Sequence, residues 1–152
     1  MLYVVLKFLH IVAAIVWIGG VITLTGLNMR LAKTGNRETL AALASAATFY
    51  GQRAVAPAAA VTLLAGIATA VTAGFRMNNL WIIWGFAAIL LSLAIGGFLV
   101  GVTTQRLSTL AATPDADPAQ IAAQQARLAL LNGINILILL SAVWVMVAKP
   151  TL

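Results

Sequence analysis

Cysteine is absent from the 152 residues. Disulfides, thiolate metal sites, iron–sulfur ligation and thiol nucleophiles are therefore excluded together. Acidic side chains are almost as scarce, three against nine Lys and Arg, and there is one histidine, His10. Glu38, Asp115 and Asp117 all fall between apolar tracts, so no carboxylate pair lies where a proton relay through a membrane would need one. With only 8% charged residues, the composition is that of neither an ordinary soluble domain nor a disordered segment.

What the chain has in abundance is apolar sequence, at 62% hydrophobic residues with a mean hydropathy of +1.05. About 20 consecutive apolar residues cross a bilayer as a helix. Four such tracts occur, roughly Leu2 to Leu27, Ala54 to Ala73, Leu80 to Val102 and Leu128 to Ala148. The expected fold is an all-α membrane protein, a four-transmembrane-helix up-and-down antiparallel bundle formed as one domain over residues 1–152. Its first partner is the lipid bilayer. The net charge of +6 and the pI near 11.0 do not signal nucleic-acid binding, because the basic residues stand singly at the ends of tracts. Arg30, Lys33, Arg37, Arg53, Arg106 and Arg127 gather on one side, against Arg76, Lys149 and Lys7 on the other. The positive-inside bias then puts both connections of the first group in the cytoplasm of a bacterial inner membrane and both termini outside. The first tract is longer than the apolar core of a signal peptide and is expected to stay.

Helix punctuation extends two helices into water. Asn36 suits an N-cap ahead of Arg37, and Asp117 followed by Pro118 is an N-cap with proline in the first turn. A helix from Pro118 to Ala148 would be about 46 Å long, against a hydrocarbon core of about 30 Å. Leu40, Leu43, Ala47 and Tyr50 recur at helical spacing and predict contact with another projecting helix. Pro57 predicts a kink. Small residues mark helix interfaces in membranes. Here they are Gly19, Gly20, Ala58 to Ala60, Gly66, and the GxxxG pair Gly97 and Gly101, read as packing within the monomer ahead of a homodimer contact.

His10 stands about 12 Å inside the first tract. Tyr3, Lys7, His10, Ala14, Trp17 and Val21 follow one helical face, expected to look inward. An ionisable group at that depth points to function, with metal ligation, heme ligation or proton transfer the roles open to it. The bland alternative is a neutral imidazole bonded across the bundle to Thr69 or Ser141.

The segment Leu6-Lys7-Phe8-Leu9-His10 with Val16-Trp17-Ile18-Gly19-Gly20 resembles the first helix of a superfamily of four-helix bacterial membrane proteins. That superfamily includes HemJ-type protoporphyrinogen IX oxidases, the copper-resistance protein D-like domain, and an uncharacterised family of predicted integral membrane proteins, the nearest of the three. Arg53 with Pro57 and Gly66 resembles the start of its second helix, and Arg127, Asn132 and Val147-Ala148-Lys149-Pro150 resemble its fourth helix and terminus. The resemblance implies heme b on His10, with Arg53 and Arg127 turned to the interior. It does not extend to protoporphyrinogen oxidation, because Trp81-Ile82-Ile83-Trp84-Gly85 lacks the lysine those oxidases carry there.

If heme is bound, the expected cofactor-binding residues are His10 as metal ligand, Lys7 toward a propionate, Trp17 against the porphyrin, and Arg53, Arg127 and Asn132; Arg53, Arg106 and Arg127 are also placed to converge on an anionic group or lipid phosphate, and Asn132 with Asn135 to bond a neighbouring helix. A second axial ligand would come from a methionine, a lysine other than Lys7, or His10 of a second copy across a two-fold axis, and a five-coordinate heme is equally allowed. The resulting expectation is a membrane b-type heme protein, a candidate oxidoreductase with a membrane redox partner. A cofactor-free accessory subunit and a small transport or metal-handling protein are the alternatives, the transport route being lined by Thr62, Thr69, Asn132 and Ser141.

Overall fold

Backbone N–H and C=O groups in hydrocarbon have no water to bond, which leaves a chain of this composition helical wherever it crosses the bilayer. The computed structural model describes residues 1–33 and 37–150, without the side chains of Leu31, Ala32 and Arg37. Asn36, the expected cap, lies outside the described residues. The elements are α1 (Leu2–Ala32), α2 (Arg37–Tyr50), a first π segment (Gly51–Val55), α3 (Ala56–Thr72), α4 (Leu80–Ser92), a second π segment (Leu93–Val100), α5 (Gly101–Ala112) and α6 (Pro118–Ala148). The π segments join their flanking helices end to end, so four rods result, each long and apolar enough to cross a membrane.

Local chemistry sets the ends of the rods. The Asp117 carboxylate accepts from the Ala119 amide at 2.9 Å, capping α6 ahead of Pro118. At the far end of α3, Gly74 adopts φ +68°. The Phe75 amide bonds the Ala70 carbonyl and the Gly74 amide bonds the Val71 carbonyl, the paired bonds of a Schellman stop. Pro57 is the second residue after the first π segment, at whose end the Ala56 amide reaches back to Gly51. Proline cannot donate to Arg53, and the wider turn absorbs that missing bond within a continuous rod.

Short connections make sequential rods antiparallel. α1 packs along α3, α2 on α5, and α4 on α6, while contact of α1 with α6 closes the bundle. α3 and α4 touch only sparsely. One buried cluster, built from Trp17, Val21, Ala58, Ala59, Ile89 and Leu139, holds the middle of the bundle. A second, built from Leu40, Leu107, Ala111, Ile121 and Leu128, joins α2, α5 and α6 where the rods project. Leu40 and Ala47 are buried as the spacing predicted, and Tyr50 is exposed. Large apolar side chains such as Phe98, Leu137 and Trp144 cover the outside, as a lipid-facing surface requires.

Glycines admit side chains of neighbouring rods at close range. A Cβ on Gly20 would lie 2.9 Å from Val55 Cγ2, and one on Gly85 would lie 2.6 Å from the Met146 methyl. Gly97 and Gly101 do not behave as expected: both are exposed, with open space where a Cβ would stand. The inward face runs instead through Gly85, Ala88, Ser92, Thr103 and Leu107, with half-buried Gly96 meeting Asn135 and Gly97 turned about 100° away from it. The pair therefore makes no packing contact within the monomer.

Gly74→Ala should lower stability by about 1 kcal/mol, the cost of a Cβ in the left-handed region. Gly97→Ala should change it by less than about 0.5 kcal/mol. Thermal unfolding in mild detergent compares the two; equal effects would show that the left-handed stop carries no strain penalty.

Candidate functional site

His10 faces α3. Its Nδ1 lies 2.7 Å from the Thr62 carbonyl oxygen. A carbonyl only accepts, so Nδ1 carries the proton and donates. Nε2 has no hydrogen-bond partner among the described residues. The ring rests against Gly66, where a Cβ would stand 2.9 Å from both Cε1 and Nδ1. Glycine at 66 is what lets an imidazole sit between two rods and reach a main-chain oxygen.

The partner is thus neither Thr69 nor Ser141. Thr69 donates to Ala65 O at 2.6 Å, and Ser141 donates to Ile138 O at 2.7 Å while accepting from Trp84 Nε1 at 3.1 Å. The Thr62 hydroxyl likewise donates to Ala58 O at 2.8 Å. A hydroxyl on a helix in lipid finds its nearest acceptor one turn back in its own backbone. The hydroxyl protons of Thr62, Thr69 and Ser141 are therefore committed to their own helices.

The inward face of α1 passes through Leu6, His10, Ala13, Trp17 and Val21. Lys7 falls just off it: the side chain is exposed, with Nζ 5.9 Å from the Tyr3 ring centroid, consistent with a cation reaching toward the end of the span. Trp17 is 5% exposed and packs in the central cluster two turns deeper than His10. Trp84 is largely outward, tethered by its indole N–H to Ser141.

The remaining sequence candidates lie toward the other end. Arg53, nine residues from Thr62 along its rod, is about 13 Å away by helical rise. It is exposed, with its guanidinium 5.5 Å from the Phe49 ring centroid. Arg127 is exposed, whereas Asn132 is buried and shares a cavity with Thr25, about 22 Å along α1 from His10. The six sequence candidates therefore form two groups: His10 and Lys7 with Trp17 below them, and Arg53, Arg127 and Asn132 near the basic end.

Two features were not read from the sequence. Ser92 and Asn135, each 2% exposed, carry side-chain oxygens with no partner. The Asn135 amide nitrogen lies against Gly96 in the second π segment, one turn beyond Ser92. Near the opposite end, Lys149 Nζ lies 5.2 Å from Phe75 and 5.5 Å from Trp81, whose rings meet edge to face at 5.1 Å. The amide spacing of Asn132 and Asn135 announces polar groups on α6, but no linear signal joins Lys149 to Phe75. Among the described residues no three His, Cys, Asp or Glu side chains converge as a metal cluster.

A family model described as a predicted integral membrane protein (DUF2269) matches residues 4–150. No curated protein and no solved structure matches the chain.

Gly66→Ala should force the His10 ring away from α3, lengthen its bond to Thr62 and lower stability by about 1–2 kcal/mol. Chemical-shift or thermal measurements on that variant beside Gly97→Ala check this, and indistinguishable behaviour would mean that the ring is not held against Gly66.

Proposed function

Since the chain belongs to the family of predicted integral membrane proteins matched over residues 4–150, its setting is the lipid bilayer, and we propose that it is a b-type heme-binding protein of membrane redox or porphyrin-related chemistry, with His10 as axial ligand. The observation that carries this reading is the 2.7 Å bond from His10 Nδ1 to the Thr62 carbonyl. Ligating histidines donate their second ring N–H to such an acceptor, which fixes tautomer and orientation and raises the basicity of the other nitrogen. Here that leaves Nε2 as the electron-pair donor. The donor set fits a heme better than a free metal ion, because one imidazole without convergent carboxylates or thiolates is too few ligands for an ion alone.

The residues divide the work. Thr62 and Gly66 orient the imidazole, Lys7 offers a cation to a propionate toward the end of the span, and the Trp17 cluster excludes water from below. A bound heme would supply one-electron chemistry. Arg53, Arg127 and Asn132 take no part at His10 in this reading. The resemblance of the first helix to that of HemJ-type oxidases supports heme, and the absence of lysine after Trp81 favours a redox role other than protoporphyrinogen oxidation. With a single histidine in the chain, a heme would be held by His10 alone, by His10 with a methionine, or by two His10 side chains across a two-fold axis. Charge asymmetry supports an orientation with the basic end in the cytoplasm of a bacterial inner membrane.

Oxidised and dithionite-reduced spectra of protein purified from heme-supplied cells, with pyridine hemochrome quantification, test the proposal. Stoichiometric or half-stoichiometric heme that falls at least tenfold in His10→Ala is expected. A Soret band unchanged in His10→Ala would sink the ligand assignment, and a colourless wild-type protein would leave His10 as a packing residue.

A further inference from the structure

At the basic end, α1, α5 and α6 enclose a cavity of about 300 Å³, at the lower edge of the size range for small-molecule sites. Its polar lining includes Asn28, Lys33, Gln125 and Asn132. Asn132 is 7% exposed, and its amide has no hydrogen-bond partner among the described residues. An amide that opens onto a cavity in this way is free to bond whatever fills it. Thr25 also lines the space, but its hydroxyl proton is committed to Val21 O at 2.7 Å.

The charge of the lining has one sign. Among the described residues, Lys33 is its sole charged one, and no Asp or Glu borders it. Arg30 precedes Lys33 by one turn, and Arg127 lies between the lining residues Gln125 and Leu128. The rest of the wall is apolar, chiefly Met29, Leu107 and Leu128. One ammonium, three primary amides and a hydrocarbon wall match an anionic group attached to an alkyl chain. The position, at the end of four membrane-spanning rods where basic side chains collect, is where lipid head groups lie.

We propose that this cavity is a binding site for the phosphate head of an anionic membrane lipid. Lys33 supplies the counter-charge, the amides of Asn28, Gln125 and Asn132 donate to phosphate oxygens, and the first methylenes of the acyl chains lie against Met29, Leu107 and Leu128. Charge-assisted bonds of this kind are the strong ones. The site is separate from His10 and does not depend on heme.

The test is titration of the purified full-length protein with short-chain phosphatidylglycerol, phosphatidylcholine and inorganic phosphate, read by native mass spectrometry. Phosphatidylglycerol should bind at least tenfold more tightly than phosphatidylcholine. Asn132→Leu and Lys33→Gln should each weaken it about tenfold, and His10→Ala should not change it. Lys33 is exposed, so its variant folds even if Asn132→Leu does not. Equal binding of the two lipids, or full affinity in Lys33→Gln, overturns the proposal. Binding of inorganic phosphate in competition with the lipid would also overturn it, assigning the cavity to a soluble anion.

Discussion

Inside hydrocarbon every polar group must be satisfied by the protein itself, and that requirement governs this structure. The backbone meets it by helix formation, with two π segments where ordinary helical bonding gives way. Hydroxyls meet it by bonding back one turn, as Thr25, Thr62, Thr69 and Thr103 all do. His10 meets half of it through the Thr62 carbonyl. Among the described residues the exceptions are the buried oxygens of Ser92, Gln124 and Asn135, with His10 Nε2 and the Asn132 amide unpartnered but less enclosed. A fully buried unpaired oxygen costs about 1–3 kcal/mol unless a ligand, water or ion completes it.

Close approach of the rods depends on glycine more than on apolar bulk, since lipid tails are as apolar as leucine. Gly20, Gly66, Gly85 and Gly96 each receive a side chain from another rod, respectively Val55, His10, Met146 and Asn135. Two of those four pairings bring a polar side chain against bare backbone. Packing and chemistry are thus the same contacts here, because the glycine that closes the interface also sets where the imidazole or amide comes to rest.

The bundle consequently has two chemically distinct ends. Around His10 the environment is apolar and Nε2 has no hydrogen-bond partner among the described residues, above a core closed by Trp17. At the basic end the rods project, a second core formed by Leu40, Leu107 and Leu128 keeps them together, and an amide-lined cavity opens beside it. About 22 Å along α1 separates His10 from Thr25, too far for one small group to touch both. The residues that the sequence joins as one binding set are divided by this distance.

The sequence by itself determined four spans, their antiparallel order and the Asp117–Pro118 start of α6, because tract length and punctuation are local properties. It showed that Gly66 is small, but not that His10 would lie on it. Tertiary structure alone decided that Thr62 rather than Thr69 or Ser141 receives the imidazole proton, that Lys7 turns outward, and that Gly96 rather than Gly97 faces α6. The physical reason is rotational: a helix carries its residues at fixed steps of about 100°, but which step faces the neighbour depends on how two surfaces mesh. That choice is made between rods and is written in neither sequence alone.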